Sequence, residues 1–150
     1  MFSEGSVLYF TPYYFTKGDV GKSKNKYFVV IKDAGNDILV TSLPTSQDHI
    51  PSKYNHLDGC INIEDINFNC YKFPAKKIVS ACNGRSFPHT TYIYGANIDI
   101  LNKSDLLNKY PNAGSDYRKE FALRSDILED IKQCLKNSRC VKRAVKRCLP

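Results

Sequence analysis

No apolar run in this chain reaches the ~18 residues that a membrane-spanning helix needs, so a bilayer-embedded helical protein is not expected. No basic stretch precedes an apolar one at the N-terminus, which reads Met1-Phe2-Ser3-Glu4-Gly5, so no signal peptide is expected either and the cytoplasm is the expected compartment. The six cysteines, Cys60, Cys70, Cys82, Cys134, Cys140 and Cys148, include no pair at the two-to-four-residue spacing of a zinc knuckle. They read as reduced, small apolar residues, and neither a metal nor a cofactor is expected. A phosphate-cradling glycine loop is also missing. Gly21-Lys22-Ser23 has the right ending, but Thr16 stands where the first glycine belongs, and a strand rather than a helix follows.

Acidic residues are absent from 131–150. That stretch holds Lys132, Lys136, Arg139, Lys142, Arg143, Lys146 and Arg147, while the other 130 residues carry equal numbers of acids and bases. The whole net charge of +7 therefore belongs to the C-terminal stretch. Such an end attracts nucleic acid or an acidic partner, or is a solvated face that keeps the protein soluble. Arg139, Lys142, Arg143 and Lys146 are the RNA-binding candidates there.

What is present begins with β-forming runs. With 42% apolar residues in a length of 150, one folded domain is expected. Tyr27-Phe28-Val29-Val30-Ile31 and Ile38-Leu39-Val40-Thr41-Ser42-Leu43 are dense in β-branched and aromatic residues. The turn formers Asp33-Ala34-Gly35-Asn36-Asp37 lie between them, so the pair reads as an antiparallel hairpin. A basic loop, Gly21 to Lys26, precedes it, and Pro44-Thr45-Ser46 follows. Lysines and hydroxyls thus meet at one end of the hairpin, where a phosphate would fit; Lys22 and Lys24 are further RNA-binding candidates.

Further strands are expected at Ser6–Phe10, with Pro12 at its edge, at 59–63, 69–73, 78–82 and 90–94. The segment 47–58 reads as a long loop. From about residue 98 the pattern turns helical. Ser104 is the expected cap of a short helix, and Ile127, Ile131, Cys134, Leu135, Val141, Val145 and Cys148 mark one long amphipathic helix. The expected architecture is mainly β, with an antiparallel, partly closed barrel over 1–97 and a helical extension over 98–150.

The order of features in residues 17–46 resembles the MazF/PemK toxins of bacterial toxin–antitoxin pairs. Lys17-Gly18-Asp19-Val20 matches an early Gly-Asp before a strand, and Lys26-Tyr27-Phe28-Val29-Val30-Ile31 matches the strand after the basic loop. Leu43-Pro44-Thr45-Ser46 matches a Pro-Leu-Thr-type end. The resemblance implies an SH3-like barrel and a metal-independent endoribonuclease or RNA-binding protein. It also implies an acidic antitoxin-like partner. Family enzymes place an arginine followed by a proline where this chain has Lys26 and Tyr27. Lys26 would then be the phosphate-stabilising cation and Thr45 the hydroxyl at the end of the next strand. Lysine brings charge without the two-pronged geometry of arginine.

Cleavage of RNA without metal needs a base for the ribose hydroxyl, an acid for the leaving oxygen and a cation for the phosphorane. His49 or His56 would move the proton, Asp19 would orient it, and Arg85, close in sequence to His89, is a second choice of cation. Tyr13 and Tyr14, if exposed, would stack on bases. The rival reading is a non-catalytic SH3-like interaction module that binds an acidic protein or a second copy of the chain as a homodimer.

Overall fold

A computed structural model describes residues 2–14, 22–43, 52–54 and 56–149. Among the described residues eight strands form two antiparallel sheets. The larger contains β1 (Ser6–Tyr14), β2 (Ser23–Ala34), β3 (Asp37–Ser42), β7 (Asp99–Asn102) and β8 (Tyr117–Ala122), in the order β7-β3-β2-β1-β8. The smaller contains β4 (Gly59–Ile63), β5 (Phe68–Phe73) and β6 (Thr91–Tyr94), in chain order. Among the described residues these sheets do not close into one barrel.

The expected hairpin is the centre of the larger sheet. Phe28 faces Ser42, Val29 faces Thr41 and Val30 faces Val40. Its loop is two residues long, with Gly35 at φ +86°, a conformation that glycine reaches at no steric cost. The basic stretch before it is mostly strand rather than loop, since β2 starts at Ser23 and carries Lys24 and Lys26.

The sheet is buried on both faces. Val7, Val29, Ile31, Leu39 and Leu43 pack with Tyr71, Phe73 and Ile93 of the smaller sheet and with Ile127, Ile131 and Leu135 of α2 (Ser125–Lys136). On the other face Leu8, Phe10, Phe28, Val30, Ile38 and Val40 pack with Tyr110, Tyr117 and Leu106, the last on α1 (Lys103–Lys109). Double burial explains why the two hairpin runs are continuously apolar rather than alternating.

Several expectations are corrected. The stretch 98–150 is no purely helical extension, since β7 and β8 supply both edges of the larger sheet. β1 does not stop at Pro12; it continues to Tyr14 through a cis Thr11-Pro12 bond, with its register to β2 shifted between Phe10 and Tyr13. The segment 78–82 makes only isolated bridges, Ile78 to Ser86 and Ser80 to Leu123, around an Asn83-Gly84 turn in which both residues have positive φ. α1 is capped by the Asn102 side chain, which accepts from the Asp105 N–H, not by Ser104.

The expected long helix is broken into α2 and α3 (Arg143–Arg147). The step from Leu135 to Val141 skips a helical repeat, and the linker turns Ser138 into the core at 1% exposure. The cysteines are not all reduced either: Cys60 on β4 and Cys134 on α2 form a disulfide. α2 packs across β4 and brings their Cα atoms to 5.5 Å, which is bridging distance. Of the cysteines outside that bond, Cys70 is buried, Cys82 is exposed, and Cys140 and Cys148 are half-buried. Among the described residues no helix is long and apolar enough to cross a membrane.

Candidate nucleic-acid pocket

Lys26 lies near the start of β2, opposite Phe10 of β1. Its ammonium is held below the ordinary lysine range, first by burial and then by repulsion from Lys24. A half-buried cation beside a second cation, with no ion pair among the described residues, is the kind of group that marks a site where an anion arrives.

The surroundings of Lys26 fit that reading. It lines an open pocket of about 450 Å³ with Ser42 from the end of β3, Asn97 from the turn after β6, and Cys140. Asn67, at φ 53° in the turn between β4 and β5, contributes a further amide. Phe68 and Tyr94 supply aromatic wall, their ring centroids 6.3 Å apart in an edge-on arrangement. The walls thus combine one cation, neutral donors and acceptors, and flat apolar surface. Among the described residues no carboxylate or imidazole lines the pocket.

Cys140 belongs to the linker between α2 and α3, so the pocket joins the two basic regions that sequence alone left separate. Side chains fix that linker. The Ser138 hydroxyl donates to Asn62 Oδ1 at 2.6 Å and accepts from the Cys140 N–H at 3.0 Å. Asn69 Nδ2 donates to the same Asn62 oxygen at 3.3 Å and to the Cys134 carbonyl at 3.2 Å. Arg139 donates through Nε to Glu64 at 2.6 Å, and this cation holds the Glu64 carboxyl below its usual range. Lys146 Nζ donates to the Ser138 carbonyl at 3.0 Å.

The four C-terminal candidates therefore divide. Arg139 and Lys146 are tied to the protein, whereas Lys142 and Arg143 are exposed and form no ion pair among the described residues. Lys24 is exposed on the strand that carries Lys26, and Lys22 is exposed just before that strand begins. Asp19, Thr45 and His49 lie outside the described residues. His56 is exposed, and Arg85 and His89 line a different pocket. Tyr13 is buried against Phe10, Phe28 and Tyr110, so it does not stack on bases; Tyr14 is half exposed and stacks on Tyr110. Among the described residues no group of three or more His, Cys, Asp or Glu side chains is placed to hold a metal ion.

Sequence reading missed Asn67 and Asn97, which sit in turns, and Asn69 on β5, since asparagines give no chemical signal until the elements that carry them are assembled. The Asn69 carbonyl oxygen is buried without a hydrogen-bond partner and occupies the place where a Cβ on Gly95 would lie. No known family model, curated protein or solved structure matches this chain.

Proposed function

We propose that the protein binds single-stranded RNA at the Lys26 pocket and acts as a toxin component of the MazF/PemK type, a metal-independent endoribonuclease. The observation that carries this reading is Lys26 itself, a half-buried cation with a lowered pKa, set among amides, a hydroxyl and two aromatic rings. A phosphate entering the pocket would relieve the repulsion between Lys26 and Lys24, and Phe68 and Tyr94 offer surface to a base. Lys142 and Arg143 would extend the cationic track along the backbone. The SH3-like, partly closed barrel belongs to the same reading; its support is the β1-β2-β3 meander with Lys26 at the start of the middle strand.

In cleavage Lys26 would stabilise the charge that gathers on the phosphorane, an interaction worth most in the transition state. Lys26 in the place of the family's arginine favours a second reading, binding without cleavage, in which the chain is an interaction module for RNA or for an acidic protein. The test is incubation of purified protein with long single-stranded RNA in chelator. Cleavage by the parent, its loss in Lys26→Met with most binding retained, and weaker binding at low salt in a Lys142→Gln/Arg143→Gln double variant are the expected results. The double variant should flatten the logarithmic salt slope by about 1.4, near 0.7 per phosphate contact. Intact RNA throughout leaves the binding role, and no salt-dependent binding at all overturns the proposal.

A further inference from the structure

Two adjacent residues at the start of β2 serve different pockets. Lys26 lines the pocket described above, and Tyr27, on the opposite face of the strand, lines another. The next strand repeats the division: Ser42 faces the Lys26 pocket and Leu43 the Tyr27 pocket. The two cavities therefore lie back to back across the open end of the β2–β3 hairpin.

The Tyr27 pocket is smaller, about 110 Å³, and its walls are mostly apolar: Leu43, Phe87 and Phe121, with Arg85 and His89 at the mouth. A cavity a few water volumes in size takes one flat ring and excludes a whole nucleotide. Beside it a row of side chains crosses three strands, since Arg118 of β8 and Tyr27 of β2 both face Tyr9 of β1. The Arg118 guanidinium lies 5.2 Å from the Tyr9 ring centroid, and the Tyr9 and Tyr27 rings are 4.4 Å apart at 36°. The Arg85 guanidinium lies 5.2 Å from the Phe121 ring.

One carboxylate holds both arginines. Glu120 accepts from Arg118 Nε at 2.7 Å and stands 3.8 Å from an Arg85 nitrogen. Two cations against one acid leave the cluster positive. Burial, with Glu120 and Tyr9, raises the Tyr27 phenol, so the ring remains neutral and does not repel an anion. Rings backed by guanidinium planes and a surplus cation are what a single strand needs: a stacking surface for a base and a charge for its phosphate.

We propose that the Tyr27 pocket is a second RNA subsite, which takes one nucleobase against Tyr27 and Phe121 and places its phosphate at Arg85 and Arg118 as the strand passes around the hairpin end from Lys26. This inference rests on the RNA reading of the Lys26 pocket.

The experiment is a salt series of anisotropy titrations with a short, labelled, mixed-sequence single-stranded RNA, joined by a copy that carries fluorescent aminopurine. Tyr27→Leu is expected to weaken binding about tenfold with an unchanged salt slope, which is within the range for loss of one base stack. Tyr27→Phe, which keeps the ring, should bind as the parent does. Arg85→Gln and Arg118→Gln, at exposed positions, should each flatten the slope by about 0.7. Aminopurine quenching by the parent should disappear in Tyr27→Leu. Circular dichroism checks that each variant is folded; if Tyr27→Leu is not, unchanged slopes in both arginine variants overturn the subsite.

If the parent binds RNA and the Lys142→Gln/Arg143→Gln variant weakens it, while Tyr27→Leu and the arginine variants bind as the parent does, the subsite is overturned and the RNA reading survives. An apolar side chain of a protein partner would then be the better occupant. If the parent binds no RNA, both readings fall together.

Discussion

At the residue scale the sharpest departure from expectation is chemical. Six reduced cysteines were the natural reading of a chain with no close cysteine pair, yet Cys60 and Cys134, 74 positions apart, are bonded. Nothing local could have revealed this, because the pairing exists only once α2 lies across β4. Closing a loop of that length stabilises a fold by roughly 4 kcal/mol in the chain-entropy account. A freshly prepared sample denatured without reductant should thus titrate four thiols, those of Cys70, Cys82, Cys140 and Cys148. Six thiols would contradict the bond, and fewer than four would point to a further one. Addition of a dithiol reductant should lower Tm. Lys26 was legible because a lysine beside a β-forming run is visible in sequence; its half-buried state was not, because that depends on turns from elsewhere in the chain.

At the element scale, what the sequence made legible were the elements with the strongest local signals. The β2–β3 hairpin, β4, β5 and β6 have dense β formers or alternation, bounded by turn residues. β7 has four residues, and β8 opens Tyr117-Arg118-Lys119-Glu120, three consecutive charges that mimic a loop. Both are edge strands, where short length and charge protect the open side from pairing with another chain. The same logic hid the site, whose walls come from the ends of elements. The turn after β6 is one such wall. A Cβ on Gly95 would collide with the Asn69 amide and touch Val141 at 3.0 Å. Asn69 cannot easily withdraw, since its Nδ2 holds Asn62 and the Cys134 carbonyl. Gly95→Ala should therefore cost about 1–3 kcal/mol, the scale of overpacking, as measured by denaturant unfolding. A double variant with Asn69→Ala should show a favourable coupling between the two positions. Additive losses would mean that the amide does not fill that space.

At the scale of the whole molecule, the two cores differ in chemistry. The core around α2 is largely aliphatic, whereas the opposite core stacks Phe10, Phe28, Tyr13, Tyr110 and Tyr117 on one another. Phenols packed in this way resist ionisation. Burial pushes Tyr13 up to about 12, helped by Tyr110 and Asp99, and burial likewise raises Tyr27, Tyr71, Tyr110 and Tyr117. In the unfolded chain the same groups ionise near pH ~10. A group whose folded pKa lies above its unfolded value contributes stability that is fully present below the unfolded pKa and is lost as pH rises through the folded one. The protein should therefore keep its stability up to about pH 10 and lose it steeply as the pH approaches the Tyr13 value of about 12. The chain has no tryptophan, so tyrosinate absorbance reports these groups without overlap. The buried tyrosines should ionise together with loss of the circular-dichroism signal. Tyr13→Phe, which removes the strongest shift, should unfold at higher pH than the parent; if its alkaline midpoint equals that of the parent, Tyr13 is not the group that limits the fold.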